Sequence, residues 1–187
     1  MDKTNLAARG PSDTPQSPRS SPTAVRVIDV LTYPAVQLLD VTGPVQVFAS
    51  ANDRSAEMGG ARPYVLRVVA QGGEGSTSSA GVALAAGPLT QRGEALDTLL
   101  VAGGEGAEAA AENPVLVDWV RERASQARRI ASVCTGAFLL AAAESWTGAA
   151  RRLIGCIAPG LPNAFPLCTS NPTRFSCVTV QSGPRRA

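Results

Sequence analysis

The sequence predicts an α/β fold: a mostly parallel sheet with helices on both faces, in the flavodoxin-like three-layer arrangement. Three observations carry this. Short β-branched apolar runs recur between residues 25 and 143. Segments of helical length, some opened by capping residues, separate them. Glycines gather where two of the runs end. Strands alternating with helices imply right-handed crossovers and a parallel sheet covered on both sides. A chain of 187 residues is enough for one domain of ordinary size.

Val25–Leu31 (VRVIDVL) is β-branched and mostly apolar and reads as a buried strand. In the following YPAVQLLDVTGPVQVFASAN, Thr42 or Gly43 caps a helix whose first position is Pro44. Val45, Val47, Phe48 and Ala51 supply its apolar stripe. Tyr64–Ala70 (YVLRVVA) is a second strand, the glycine- and serine-rich stretch Gly72–Ser79 a turn, and Val82–Ala86 a short strand. Thr98–Ala102 (TLLVA) is a further strand running into Gly103 and Gly104. Asn113 caps a helix with Pro114 first, ending near Ser125, with Trp119 in the core. Arg129–Val133 is another strand and Gly136–Ala143 a helix.

Composition narrows the chemistry. Lys+Arg number 17 against 15 Asp+Glu, so no strong field points to nucleic acid or an acidic partner. The chain has no histidine. That excludes Ser-His-Asp hydrolysis, a Cys-His pair and His-ligated zinc. No apolar run approaches the ~20 residues that span a bilayer. The average hides three unlike pieces. Residues 1–24 hold four prolines and no sustained apolar run, and read as a disordered leader without the apolar region of an export signal. Residues 25–143 are net acidic. Residues 144–187 hold five Arg and one Glu. A cytoplasmic location with reduced thiols is the expectation. Cys156, Cys168 and Cys177 match no metal template, and no metal or cofactor is called for.

In parallel sheets chemistry collects at the carboxyl ends of strands. Asp40 follows the first strand, Gly103–Gly104 follow TLLVA, and Cys134 ends RIASV. Ser132-Val133-Cys134-Thr135-Gly136 has the layout of a nucleophile elbow, a sharp strand-to-helix turn that presents one side chain above the sheet. Amide groups at the helix start and the positive end of its dipole favour a thiolate there. The Thr135 amide and the backbone after Gly103 would form an oxyanion hole. Two plainer readings stand beside these: Cys134 as a small buried hydrophobe, and Asp40 as a solvated loop acid.

On these residues the sequence resembles the ThiJ/PfpI-like superfamily, with the class I glutamine amidotransferase-like fold. The matching strings are YPAVQLLDVTGPVQVFASAN (33–52), LDTLLVAGGEGAEAA (96–110) and RRIASVCTGAFLLAAA (128–143). Two branches share them: the amidase-like sensor domain of AraC-type transcription regulators, and isocyanide hydratase, an enzyme. DTLLVAGGEGAEAA and SVCTGAFLLAAA are more similar to the regulators. The resemblance implies Cys134, Asp40 and Thr135 as catalytic or vestigial catalytic residues. It implies Gly103, Gly104, Thr42 and Gly43 as ligand-binding positions, a small-molecule ligand, and homodimers, which are common in the superfamily.

The resemblance stops after Ala143, where a strand carrying Thr-His-Trp is expected. A reading frame slipped at this point accounts for the change. Permitted codons for Glu144–Gly155 then spell VLDGRRATTHW, those for Thr169–Val180 can spell VEPDPIFVRDG, and those for Pro184–Ala187 can spell SAG. The expectation is therefore an incomplete domain over 25–143 and an out-of-frame tail over 144–187. Such a chain would lack the regulator's helix-turn-helix and would not bind DNA directly. It would be marginally stable at best. Two functions remain: a ligand-sensing regulator domain, which the strings favour, and a hydro-lyase using Cys134 with Asp40 as proton shuttle.

Overall fold

Arg26–Leu31 forms the first strand, β1, and its position at the middle of the sheet explains its apolar sequence. The computed structural model describes residues 25–143 and the backbone of 178–182. The leader 1–24 and most of the tail, to which two sequence expectations refer, lie outside the described residues. After β1 come α1 (Leu38–Glu57), β2 (Tyr64–Ala70), β3 (Ser76–Thr77), β4 (Ala83–Leu84), β5 (Gly87–Pro88) and β6 (Thr98–Val101). Then follow α2 (Ala107–Glu112), α3 (Pro114–Gln126), β7 (Arg129–Val133), α4 (Gly136–Ala142) and β8 (Val178–Ser182).

The main sheet runs β5-β2-β1-β6-β7-β8. All its pairs are parallel except β7 with β8, which is antiparallel. β8 extends the sheet beyond β7, where the sequence-based reading ends it. β3 and β4 form a separate antiparallel pair. Register decides the layers. Tyr64 meets α1, through hydrogen bonds with Asn52 and ring contact with Phe48. Asp29 and its β2 partner Arg67 point to the opposite face, where Asp29 meets Arg123 of α3. α4 packs against α2 and α3, so these three share that face. Ile28, Val30, Leu99, Val101, Leu139 and Leu140 are fully buried at the centre.

One charged cluster is built into this core. Asp29 Oδ1 accepts from Arg67 Nε at 2.6 Å, and Oδ2 accepts from Thr90 Oγ1 at 2.7 Å and from Arg123 Nη2 at 3.4 Å. Asp29 and Arg123 are both fully buried. Arg123 Nη1 also donates to the Gln91 carbonyl at 2.8 Å and to Gln126 Oε1 at 2.9 Å. A buried charge needs such partners because desolvation otherwise costs several kcal/mol per ion.

Three expectations change. α1 begins at Leu38, with Gln37 as cap, and Pro44 lies inside it. Tertiary bonds set this start: the Gln37 amide donates to the Gly103 carbonyl at 2.8 Å and the Asp40 amide to the Gln37 carbonyl at 3.0 Å. Thr42 and Gly43 are thus helix residues rather than caps. The apolar stripe is Val41, Val45 and Phe48, while Val47, one residue round from Phe48, is 67% exposed. α2 and β5 are additions that the sequence-based reading did not place. α3 follows expectation: Asn113 Oδ1 accepts from the Val115 amide at 3.0 Å, and Trp119 is buried with Nε1 donating to the Thr90 carbonyl at 2.8 Å. No helix among the described residues is long and apolar enough to cross a membrane.

Candidate functional site

β7 delivers the chain to Cys134, and α4 starts two residues later. Cys134 has φ 52°, a left-handed conformation that costs a non-glycine residue about 1–2 kcal/mol. The bend leaves the free thiol exposed. The chain makes a sharp strand-to-helix turn here, and the exposure of the thiol disposes of the reading of Cys134 as a buried hydrophobe.

Gly103 and Gly104 bring the end of β6 against the elbow. A Cβ on Gly103 would lie 2.7 Å from the Thr135 nitrogen and 2.9 Å from Asp40 Oδ2, so both groups crowd the space a side chain would fill. Gly104 has φ +140°, and a Cβ there would meet the Gln37 nitrogen at 2.3 Å. Only glycine permits this approach. The Gly104 amide donates to Thr135 Oγ1 at 2.9 Å, and that hydroxyl donates to the Gly104 carbonyl at 3.1 Å. The amide after Gly103 is therefore occupied by a side chain, contrary to the expected oxyanion hole. The Thr135 amide has no acceptor among the described residues.

Asp40 sits in the first turn of α1, half-buried, with Oδ2 accepting from the Gly103 amide at 3.1 Å. Burial pushes its carboxyl above the ordinary aspartate range, and the Gly103 hydrogen bond only partly offsets this. It has no ion-pair partner among the described residues. Tyr33 lies buried beneath, with its hydroxyl donating to the Ala102 carbonyl at 2.6 Å. Burial, then the negative charges of Asp40 and Cys134, raise its ionisation far above the usual phenol, so it stays a neutral donor. The sequence-based reading did not single out Tyr33; its place just after a buried strand was the available signal.

Backbone bonds fix the floor of the site. Val36 bridges Ser78, in the turn after β3, and Gly104, beside the elbow. The Gly106 amide donates to the Ala35 carbonyl at 3.1 Å, and the Ala35 amide to the Thr77 carbonyl at 2.8 Å. Asp40, Gly103, Gly104 and Thr135 are thus joined by hydrogen bonds around Cys134. Thr42 and Gly43 are not part of that set: Thr42 is exposed and its hydroxyl donates back to the Leu38 carbonyl at 3.0 Å.

Residues 26–152 match the DJ-1/PfpI family, past the point where the sequence resemblance breaks off. The chain belongs to the DJ-1/PfpI family. A protein from the cpoL 5' region of Streptomyces lividans is 40% identical over 114 residues, 61% of this chain and 77% of that protein. The isonitrile hydratase of Pseudomonas putida is 35% identical over 116 residues, 62% of this chain and 46% of the enzyme. An HTH-type transcriptional regulator of Mycobacterium tuberculosis is 49% identical over 51 residues, 27% of this chain and 20% of the regulator. The match thus spans less than half of either the enzyme or the regulator. Among solved structures, a ThiJ/PfpI family protein from Pseudomonas syringae superposes with TM-score 0.59 at 26% identity, covering 75% of this chain and 55% of that one.

Proposed function

We propose that this DJ-1/PfpI domain is the amidase-like ligand-sensing part of a transcription regulator. The observation that carries the reading is the arrangement around Cys134: an exposed thiol on a strained elbow, beside a carboxyl that burial biases towards its protonated form. The 49% identity to the mycobacterial regulator supports assigning it to the sensor branch. A ligand carbonyl or nitrile carbon would sit over the sulfur, with Asp40 donating a hydrogen bond and the Thr135 amide meeting any developing negative charge.

The second reading is a hydro-lyase that adds water to an isonitrile, favoured by the 35% identity to isonitrile hydratase. The thiolate attacks the terminal carbon, and the Asp40 proton ends on that carbon, giving a thioimidate. Water then adds across the C=N bond, its oxygen to the same carbon and one proton to the nitrogen; the sulfur leaves as thiolate, and the remaining hydroxyl proton returns to Asp40. The product is an N-substituted formamide, so atoms balance without a cofactor.

Incubation with cyclohexyl isocyanide separates the two. Formamide that appears catalytically and is abolished in Cys134→Ser establishes the enzyme. Saturable binding with no turnover supports the sensor. The regulator reading also includes the shifted frame beyond Ala143. The coding DNA tests it: a third base incompatible with VLDGRRATTHW ends that part, and a helix-turn-helix in the alternative frame supports it. The backbone pairing of β8 with β7 stands against a tail without structure.

A further inference from the structure

A pocket of about 300 Å³ opens at the carboxyl ends of β1 and β2, lined by Thr32, Tyr33, Ala70, Gln71, Ala109 and Asn113 among others. Neither Cys134 nor Asp40 lines it. Its volume is at the lower end of the range for ligand pockets. None of its lining residues carries a charge, and most of its wall is hydrocarbon. Two polar pairs contribute to its lining. Thr32, fully buried, shares a 2.6 Å hydrogen bond with Ser76. Gln71 Oε1 accepts from Asn113 Nδ2 at 2.7 Å, while Asn113 Oδ1 is held by the Val115 amide at the start of α3. The Gln71 amide nitrogen is left to donate.

We propose that this pocket binds a small uncharged molecule with a compact hydrocarbon body and one acceptor oxygen, a carbonyl or an alcohol. An anion or ammonium entering it would lose hydration and find no countercharge. The Gln71 amide receives the oxygen, and the hydrocarbon body lies against Ala70 and Ala109. The Tyr33 ring is common ground, since it lines the pocket while its hydroxyl holds the Ala102 carbonyl just before Gly103. Because neither Cys134 nor Asp40 lines the pocket, the proposal holds whether or not Cys134 turns over a substrate.

Calorimetric titration of the full chain with benzamide tests this, with benzoate and benzylamine as charged counterparts. Saturable one-site binding is expected, at least tenfold weaker for either charged probe. Ala109→Trp, at an exposed position that lines the pocket, should weaken it at least tenfold. Gln71→Leu, a milder change, should weaken it several-fold. Cys134→Ser and Asp40→Asn should bind benzamide within twofold of the parent. No saturable binding, equal binding of the three probes, or loss of binding in Cys134→Ser overturns the proposal. The last outcome would place the ligand at the elbow instead.

Discussion

The middle of the sheet and its carboxyl end treat an aspartate in opposite ways. In the middle, Asp29 is fully buried and surrounded by two arginines and a hydroxyl. At the end, Asp40 is half-buried, accepts a single backbone hydrogen bond and has its carboxyl raised by desolvation. The same contrast holds for backbone: β1 lies in a regular parallel ladder, whereas Cys134 is held at φ 52°. The lesson is that burial alone does not mark a functional acid. A charge whose partners are complete supports the fold, while one left incomplete beside a strained, exposed cysteine is a candidate for chemistry.

The largest test of this contrast is Asp29→Asn. It strands the Arg123 guanidinium in the core, so unfolding free energy should fall by about 3–5 kcal/mol in urea titration. A loss near zero would show that the cluster is not compensating a buried charge. Next, Cys134→Gly should raise stability by about 1–2 kcal/mol by relieving the left-handed backbone. A loss of stability would mean that the elbow carries no strain.

Asp40→Asn should change stability by less than about 1 kcal/mol, because the carboxyl is partly solvated. Its sign is informative. A raised folded-state value means that Asp40 favours folding most below the ordinary aspartate pKa of about 3.9, and that this contribution is lost as pH rises through the raised value. The Asn variant should therefore gain on the parent as pH increases, while any turnover falls about 10²–10⁴-fold. A parent that gains on the variant instead would reverse the assignment of Asp40.

The smallest effect belongs to Asp97, the intermediate case. Burial raises its carboxyl, but hydrogen bonds from Arg128 and Thr98, together with the Arg128 charge, bring it below the ordinary range. Its contribution is present above the unfolded value and lost as pH falls through the lowered one. Arg128→Ala should cost less than about 1 kcal/mol at pH 7 and nothing in strong acid, the opposite slope to Asp40. Parallel stability–pH curves for the two variants would remove the distinction.

Much of this was legible in the sequence, for local reasons. β2 and β7 are short runs rich in apolar and β-branched residues, and their limits coincide with the strands. Asn113-Pro114 announces α3 because cap and first-position proline act within one turn. The sharp turn at Cys134 and Thr135 was legible because strand, turn and helix start lie within a few consecutive residues. What was missed depends on distance. Arg67 and Arg123 reach Asp29 from 38 and 94 residues away, so a lone acid in VRVIDVL gave no sign of its partners. The start of α1 was misplaced because bonds from Gln37 to Gly103 outweigh the proline cue. Thr42 and Gly43 followed that misplacement, and α2 is a six-residue helix with no cap of its own kind to announce it.

Val36 is tied on one side to Ser78 and on the other to Gly104. That makes the small β3–β4 ribbon a mechanical neighbour of the turn at Cys134, to which it is coupled through the backbone of one valine, so a change in the ribbon's length would be felt at the glycine pair.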